Sequence, residues 1–367
     1  MAQITMSREA WLKPLVTISG ALDKKPLQPI LNHVLLKGAG NTLTFVATDT
    51  EIELQSIATV ENSNFDGLLL TVPGKKLLDI CRSLPENQPI TLTESGNKVT
   101  ITCGKSRFSL ATLPADTFPI AVSDPTEISF TCPQETLTAL IKKTSFAIPQ
   151  QEVRRYLNGL LLELDHGVLR ALATDSHRLA TSIASFAIAS EDFAQVIVPK
   201  KTISELARLL EAEGDATLTF GNRTLTVKTN SFSLVTQLIN GKFPNYHKII
   251  PELGKLHATL PTEALKQALV RVSILSSELF RSVCFNFKPQ QLVLSANTEL
   301  EEAVEELAIT YAGPEISLVF NFGYFLDILN ATVAEQIDLY FNEIESGITI
   351  KEAGSEASTF ILMPIRK

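Results

Sequence analysis

The chain has 367 residues, of which 45% are hydrophobic and 20% are charged, and this is enough to fill the cores of about three domains of ordinary size. Its net charge of −8, taken over the whole chain, argues against a partner that is itself a polyanion. The four cysteines form no Cys-x-x-Cys pair, and no run of about 18 apolar residues occurs, so we expect a cytoplasmic protein with reduced thiols and no membrane span.

The hydrophobic pattern predicts an α+β chain in which helices and strands alternate. Six segments have helical periodicity: 7–19, 75–83, 133–148, 201–212, 261–275 and 323–331. Polar and apolar residues alternate between them, and the first third contains the clearest predicted strands: 42–47, 52–59, 90–94, 98–103 and 107–113. Each third is therefore predicted to run helix, strands, helix, strands, as a doubled unit.

Three short sequence marks recur at a spacing of about 125 residues, which is the size of a whole domain. The first, Ala-Thr-Asp before a polar pair, stands at 47–51 and 173–177, with a weaker copy at 296–299. The second, Val-Pro before lysines, stands at 72–76 and 198–201. The third, Phe-Ser-Leu, stands at 108–110 and 232–234, with a looser copy at 360–362. The repeats predict three similar domains at 1–124, 128–251 and 255–367. Triplicated domains are more typical of a surface or an enclosure than of an enzyme.

Motifs for catalysis, metal binding or nucleotide binding are not evident. The chain contains no Gly-x-x-x-x-Gly-Lys loop, and its five histidines lack the spacing of metal ligands. Asp49 and Asp175 could be read as paired carboxylates, but an aspartate after Ala-Thr at a strand end is better explained as a turn cap. No nucleophile motif accompanies His177. We therefore expect no catalytic residue, no metal site and no cofactor.

Basic residues are concentrated in the predicted helices. With the adjoining Lys200, the six helical segments contain twelve lysines and arginines against seven aspartates and glutamates, although the chain as a whole is acidic. If all helices share one side of the assembled protein, that side is positive and attracts a phosphate backbone without holding it tightly.

Five longer strings carry a specific resemblance to a known family. They are 108–114 (FSLATLP), 154–162 (RRYLNGLLL), 173–179 (ATDSHRL), 241–246 (GKFPNY) and the ending 363–366 (MPIR). These strings, taken together with their order, their spacing and the triplication, are specific. By them the chain resembles the β sliding clamps of bacterial DNA polymerase III holoenzyme over its full length. The resemblance implies three clamp domains and a head-to-tail homodimer, in which six domains form a ring with helices lining the hole. It also implies a processivity factor that encircles duplex DNA without reading its sequence.

In that family the subunit joint lies between the first domain of one subunit and the third domain of the other. The corresponding first-domain residues are basic or apolar: Lys75, Lys105, Arg107, Phe108 and Leu110. The corresponding third-domain residues are apolar or acidic: Ile274, Leu275, Glu299, Glu301, Glu302, Glu305 and Glu306. Complementary charge of this kind fixes the register of an interface more than it adds affinity.

The resemblance also implies a pocket for partner peptides between the second and third domains. Its residues here are Leu157, Thr174, Ser176, His177, Arg178, Leu179, Pro244, Ile249, Asn321, Tyr324, Ile361, Leu362, Met363, Pro364, Ile365 and Arg366. We expect an apolar groove for a Gln-Leu-x-Leu-Phe-type motif carried by the replicative polymerase, the clamp loader and other replication and repair proteins. Three residues depart from the common family pattern: Ser176 for Gly, Arg155 for an aromatic residue and Ile365 for Met. Ser176 is expected to narrow the mouth of the pocket.

The DNA contacts implied by the resemblance are mostly basic or aromatic: Lys25, Gln151, Arg155, Tyr156, Lys201 and Phe280. Two alternatives stay open at this point. One is a carboxylate-dependent nuclease that uses Asp49 and Asp175, and the other is a scaffold of triplicated domains that does not bind DNA.

Overall fold

A computed structural model describes residues 2–23, 27–60, 65–121, 128–186, 193–276, 281–298, 300–342 and 347–365. Four residues predicted to be functional lie outside these ranges: Lys25, Phe280, Glu299 and Arg366.

The described residues contain 25 strands and six α-helices. The first third contains β1 (Gln3–Ser7), α1 (Arg8–Ile18), β2 (His33–Ala39), β3 (Thr42–Thr48), β4 (Ile52–Thr59), β5 (Leu69–Pro73), α2 (Gly74–Ser83), β6 (Pro89–Ser95), β7 (Lys98–Cys103) and β8 (Ser106–Ala111). The second contains β9 (Ile128–Pro133), α3 (Gln134–Thr144), β10 (Gly159–Asp165), β11 (Val168–Thr174), β12 (Arg178–Ser185), β13 (Phe193–Pro199), α4 (Lys200–Leu209), β14 (Asp215–Phe220), β15 (Thr224–Lys228) and β16 (Ser233–Gln237). The third contains β17 (Leu256–Pro261), α5 (Thr262–Ser273), β18 (Ser282–Lys288), β19 (Gln291–Asn297), β20 (Glu302–Ala308), β21 (Thr310–Tyr311), β22 (Ile316–Asn321), α6 (Phe322–Ala331), β23 (Gln336–Phe341), β24 (Ile348–Glu352) and β25 (Ser358–Leu362).

Each third is a doubled unit in which the order strand, helix, three strands occurs twice. The two halves exchange their first strands, so that the first third forms antiparallel sheets with the strand orders β1-β6-β7-β8 and β5-β2-β3-β4. The second third repeats this with β9-β14-β15-β16 and β13-β10-β11-β12, and the last with β17-β23-β24-β25 and β22-β18-β19-β20. The small strand β21 is an addition beside β17.

Two joints between neighbouring thirds extend these sheets. Strand β4 pairs antiparallel with β16, which gives an eight-stranded sheet, and β12 pairs antiparallel with β25, which gives a nine-stranded sheet together with β21. The sheets β1-β6-β7-β8 and β20-β19-β18-β22 remain four-stranded.

The contacts divide the chain into two compact units. Unit 1 comprises Met1–Glu135 and Ser204–Leu238, and unit 2 comprises Thr136–Ile203 and Ile239–Lys367. Unit 1 contains the first four-stranded sheet, the eight-stranded sheet and the packed pair α1 and α2. Unit 2 contains the nine-stranded sheet, the second four-stranded sheet and the packed pair α5 and α6.

Helix α1 shows how the sequence positions these elements. The Ser7 side chain caps its first turn by accepting a hydrogen bond from the N–H of Ala10 (3.1 Å), as expected for a residue directly before Arg8. Trp11 is fully buried, donates its indole N–H to the carbonyl of Ile90 (3.2 Å) and packs edge-on against Phe45. The helix therefore lies on the sheets with its apolar face inward.

The predicted order of elements is confirmed in outline but is wrong at the start of each third. A strand precedes the first helix in every case, as β1, β9 and β17. These strands were missed because each is short; in β1 only Ile4 and Met6 face the core. The fourth helix ends at Leu209 rather than at residue 212, and α1 continues through Pro14 without a break.

One predicted repeat is out of register. Counting across the paired strands of each third places Phe108, Leu234 and Phe360 at equivalent positions, opposite Ile101, Val227 and Ile350. Phe232 therefore precedes the equivalent position by two residues. The two hairpins have the same length, because seven residues separate Ile101 from Phe108 and also Val227 from Leu234. The Phe-Ser-Leu string of the second third therefore begins two residues early within an unchanged hairpin, and Phe232 is the equivalent of Ser106.

The cysteines differ in burial, and this difference predicts the order in which their thiols react. Burial raises the pKa of the Cys81 thiol to about 12 and that of Cys132 to about 11, and Cys103 is also buried, whereas Cys284 is half-buried. Since the thiolate is the reactive form, Cys284 should be alkylated first by iodoacetamide at pH 8. Peptide mass mapping over time measures this order; early labelling of Cys81 would contradict the packing of α2.

None of the helices within the described residues is long and apolar enough to cross a membrane.

Candidate peptide-binding and DNA-facing sites

A tight turn after β11 in unit 2 is closed by its own side chains. The Thr174 hydroxyl donates to the carbonyl of Arg178 (2.7 Å), and Asp175 Oδ1 accepts the N–H groups of His177 and Arg178 (3.0 Å each). Ser176 at the tip has φ of 76°, in the left-handed region that glycine adopts most easily.

The turn after β3 in unit 1 has the same construction. Asp49 Oδ1 accepts the N–H groups of Glu51 (3.0 Å) and Ile52 (2.9 Å), and Thr50 at the tip also has φ of 76°. The expected capping role of the two aspartates is therefore confirmed. In the third copy the hydroxyl of Thr298 accepts the N–H of Glu301 (3.2 Å) in place of the carboxylate.

Arg178 connects the turn of unit 2 to α6. Its guanidinium donates to Asp175 (3.0 Å), to Asp327 on α6 (2.5 Å) and to the carbonyl of Phe146 (2.7 Å). It also lies 4.3 Å from the centre of the Tyr324 ring. Only 9% of this side chain is exposed, so its charge is held by fixed partners and not by water.

The side chains of His177 and Tyr324 form the rim of the same surface. The two rings stack with their centres 6.3 Å apart. Asn321 fixes the start of α6, because its side-chain oxygen accepts the N–H groups of Gly323 (2.9 Å) and Tyr324 (3.2 Å). The predicted residues His177, Arg178, Asn321 and Tyr324 are thus brought together.

The floor of this surface is apolar. Leu157, Leu179 and Ile361 are buried in one cluster with Phe243 and Tyr246. The predicted residues Leu157 and Leu179 are therefore packed beneath this surface. Ile249, which is 45% exposed, offers apolar surface that a peptide can cover.

The last described residues form one wall. Leu362 lies opposite Arg178 in the β12–β25 pair, and the N–H of Met363 donates to the carbonyl of His177 (2.9 Å). Ile365 is fixed by a hydrogen bond from its N–H to the carbonyl of Val319 (2.7 Å). Met363 is 40% exposed, so its flexible thioether chain borders the groove. Thr174 is buried, while Pro244, Pro364 and Ile365 are half-buried.

Ser176 takes part in a contact that the sequence did not predict. Its hydroxyl accepts a hydrogen bond from Arg154 (2.8 Å), and the same guanidinium pairs with Glu152 (3.0 and 3.1 Å). These bonds to Arg154 lower the pKa of Glu152 to about 2. Arg154 therefore lies against the tip of the turn that contains Ser176. The expectation that Ser176 narrows the mouth of the pocket stays a prediction.

The sequence reasoning also missed two residues that hold Arg178, namely Phe146 and Asp327. Asp327 could have been found from the sequence, because it is the one charged residue in the sixth helical segment. Phe146 acts through its backbone carbonyl, which leaves no mark in the sequence.

Three of the predicted DNA contacts lie on one segment that adjoins the start of α4. Gln151 and Arg155 are exposed, whereas Tyr156 is half-buried against the apolar cluster. The N–H of Lys200 donates to the carbonyl of Asn158 (3.3 Å), which places Lys201 near this segment. The six helices as observed contain twelve basic and six acidic residues.

The predicted subunit contacts lie along two sheet edges. Lys105, Arg107, Phe108 and Leu110 are on or directly before β8, which is an edge strand of unit 1, and Lys75 is exposed on α2. Glu301, Glu302, Glu305 and Glu306 are on or before β20, which is an edge strand of unit 2. At the end of α5, Ile274 is 75% exposed and Leu275 is half-buried. Arg271 pairs with Glu305 within the chain (2.6 and 2.9 Å).

Family models for the DNA polymerase III beta subunit match the chain in three parts. The N-terminal domain model covers residues 2–122, the central domain model 131–245 and the C-terminal domain model 247–366. The domain bounds predicted from the repeats stay a prediction.

Curated relatives match over almost the whole length. The beta sliding clamp of Pseudomonas putida is 40% identical over 364 residues, covering 99% of both chains, and that of Escherichia coli K12 is 39% identical over 368 residues, covering 99% of this chain and 100% of the relative. A crystal structure of the sliding clamp from Pseudomonas aeruginosa bound to griselimycin is 38% identical, covers 100% of both chains and has a TM-score of 0.97. The chain therefore belongs to the DNA polymerase III beta subunit family, the family of the bacterial beta sliding clamps.

Proposed function

We propose that two copies of this protein form a ring around duplex DNA in the cytoplasm. The ring tethers the replicative polymerase to the DNA. The observation that supports this proposal best is the way in which equivalent sheet edges are paired or left unpaired. Strands β4, β12 and β20 are equivalent, as are β8, β16 and β25, and the two joints within the chain are β4 with β16 and β12 with β25. This leaves β20 and β8 without a partner on their outer sides within the described residues.

A second copy can satisfy both edges at once. If β20 of one protomer pairs with β8 of the other, the same joint forms twice and the assembly closes. Closure also removes two edges that would otherwise promote aggregation. The exposed basic residues Lys105 and Arg107 beside β8 face an edge that contains the exposed acids Glu302 and Glu306, so the two edges are complementary in charge.

The internal joints also predict the register of the joint between protomers. Glu53 lies opposite Val235 and Leu179 lies opposite Ile361. The equivalent residues at the free edges are Glu302 and Ser109. These two residues should therefore face each other across the protomer interface.

Cysteine cross-linking tests this register. A chain with Glu302→Cys and Ser109→Cys should form a covalent dimer on mild oxidation, because opposite residues of antiparallel strands have the Cα spacing that a disulfide needs. Non-reducing electrophoresis measures the product. The matched control is Glu306→Cys with Ser109→Cys, which lies about 13 Å out of register on the same strand face. Equal cross-linking of both pairs would reject the proposed register.

The ring holds DNA by enclosure in this proposal. The helices contribute more basic than acidic residues, and Lys13, Lys75, Lys76 and Lys142 are exposed on them. Contacts between such lysines and DNA phosphates do not depend on the base sequence. Arg155, Gln151 and Lys201 are proposed to meet the same backbone, as are Lys25 and Phe280.

The groove of unit 2 is the proposed site for partner peptides. Its apolar base and aromatic rim suit a Gln-Leu-x-Leu-Phe-type motif, whose leucine and phenylalanine side chains contribute about 1.5–3 kcal/mol each when fully buried. The polymerase and the clamp loader are the proposed carriers of this motif.

Removing residues 363–367 should abolish binding of such a peptide and leave the dimer intact. Residues 363–365 of the deleted segment border the proposed groove through the hydrogen bond from Met363 to His177. They follow β25, which is in a different sheet from β20 and in a different unit from β8. Isothermal calorimetry with a synthetic peptide and the native mass of the variant measure the two effects. Normal peptide binding by the shortened chain would place the pocket elsewhere.

Primer extension on a primed single-stranded circle tests the proposed function. With the replicative polymerase and the clamp loader of the same cell, adding this protein should convert short products into full-length strands. Product length that does not change with the protein present would contradict the role of processivity factor.

A further inference from the structure

Unit 1 contains a cleft that repeats the frame of the unit 2 groove. The turns at 48–52 and 174–178 have the same hydrogen bonds and the same left-handed tip. Ile52 lies opposite Thr236 as Arg178 lies opposite Leu362. Each site is therefore built where a repeated turn meets the end of a joint strand.

This cleft has a volume of about 420 Å³ and is lined by residues 48 and 50–53, 119–121, 223–224 and 235–237. All of these residues belong to unit 1. Pro119 follows a buried Phe118, as Pro244 follows the buried Phe243 of unit 2. The two sites therefore share a Phe-Pro segment as well as the turn and the joint strand.

The side chains give the unit 1 cleft a different chemistry. At equivalent positions, unit 1 has Glu53 where unit 2 has Leu179, and Thr236 where unit 2 has Leu362. Glu51 is likewise the equivalent of His177. Glu53 is only 3% exposed, and Glu51 is exposed at the mouth. A cleft with a carboxylate at its base does not suit the leucine and phenylalanine anchors proposed for unit 2.

The Glu53 carboxylate is held in place by neutral donors. Its Oε2 accepts the N–H of Ala121 (2.8 Å), and its Oε1 accepts the amide N–H of Gln55 (2.8 Å). Each oxygen retains a second lone pair, so the group can accept two further bonds from a planar guanidinium. Such a charge-assisted pair is most favourable where the carboxylate is already withdrawn from water.

We propose that this cleft is a second peptide-docking site, which takes an extended segment of a partner protein through an arginine side chain that pairs with Glu53. Glu51 adds negative charge at the mouth, and Arg223 is the one cation among the described lining residues. The peptide class of the ligand rests on the proposed peptide role of the unit 2 groove.

Three blocked peptides that differ at one residue test this site: acetyl-Gly-Leu-Arg-Leu-Gly-amide and its versions with Gln or Glu in place of Arg. The protein is the full-length chain with its unit 2 groove saturated by a Gln-Leu-x-Leu-Phe peptide. Because a hydrogen-bonded charge pair contributes about 1.5–3 kcal/mol, the arginine peptide should bind at least about tenfold more tightly than the glutamine peptide. Fluorescence anisotropy of labelled peptides gives the affinities.

Two variants assign the binding to this cleft. Glu53→Gln should reduce the affinity of the arginine peptide to that of the glutamine peptide, and Glu51→Gln, on an exposed side chain that is safe for folding, should reduce it several-fold. Glu135→Gln, an exposed carboxylate of unit 1 outside the cleft, should leave it unchanged. Equal binding of the arginine and glutamine peptides, preference for the glutamate peptide, or full affinity in folded Glu51→Gln would overturn the inference.

The same titrations separate this inference from the proposed function. Failure of the Gln-Leu-x-Leu-Phe peptide to bind would count against the role proposed for unit 2. Normal binding of that peptide, with no arginine preference at the second site, would count against the unit 1 cleft alone.

Discussion

Replacing Ile274 and Leu275 together by alanine should convert the protein into a folded monomer at micromolar concentration. Ile274 is 75% exposed at the end of α5, and this helix is tied to the β20 edge by the Arg271–Glu305 pair. In a closed two-fold ring each substitution is present at both joints. Ile274 contributes about 1.5–3 kcal/mol of burial at each joint, which is about 3–6 kcal/mol for two joints, and the half-buried Leu275 adds a smaller amount. A loss of this size weakens a dimer by at least about a hundredfold.

Sedimentation velocity measures the mass of this variant, and circular dichroism checks that it remains folded. Val333→Ala is the matched control, because Val333 is an apolar residue with 76% exposure that lies after α6 and donates its N–H to Glu352 of β24, in a different sheet from β20. The control should remain a dimer. An undisturbed dimer in the double variant would show that the joint does not use the end of α5.

The repeated architecture was predictable from the sequence because it rests on local signals. The Ala-Thr-Asp turns, the Val-Pro helix starts and the helical periodicity of α1 to α6 each depend on neighbouring residues, and the structure confirms them. Their spacing predicted three similar domains without any knowledge of contacts. The membership of the groove followed from the resemblance, and the structure brings His177, Arg178, Asn321 and Tyr324 together in unit 2.

Other features could not be read from the chain because they depend on pairing between distant segments. The exchange of first strands within each third places β1 beside β6, more than 80 residues away in the chain, and nothing near Gln3 signals this partner. The register error at Phe232 has a similar origin, since only the strand pairing shows that Leu234, and not Phe232, is the equivalent of Phe108. Arg178 is held by Asp327 and the carbonyl of Phe146, and neither contact is visible before the chain is folded.

Loaded complexes on circular DNA should survive salt that removes the protein from linear DNA. We expect the helices to make few phosphate contacts, and at physiological ionic strength charges more than about 8 Å apart are largely screened. Enclosure by a ring is not screened by salt. Changing Arg155 and Lys201 to alanine should therefore weaken direct DNA binding and loading, yet alter the lifetime on circles far less.

Gel filtration of loaded complexes, before and after one restriction cut and at low and high salt, tests the ring most directly. We expect the protein to elute with intact circles at both salt concentrations and to be released once the circle is cut, because a ring slides off free ends. Equal loss from circles and linear molecules at every salt concentration would show that the protein holds DNA by contact, and the enclosing ring would be wrong for this chain.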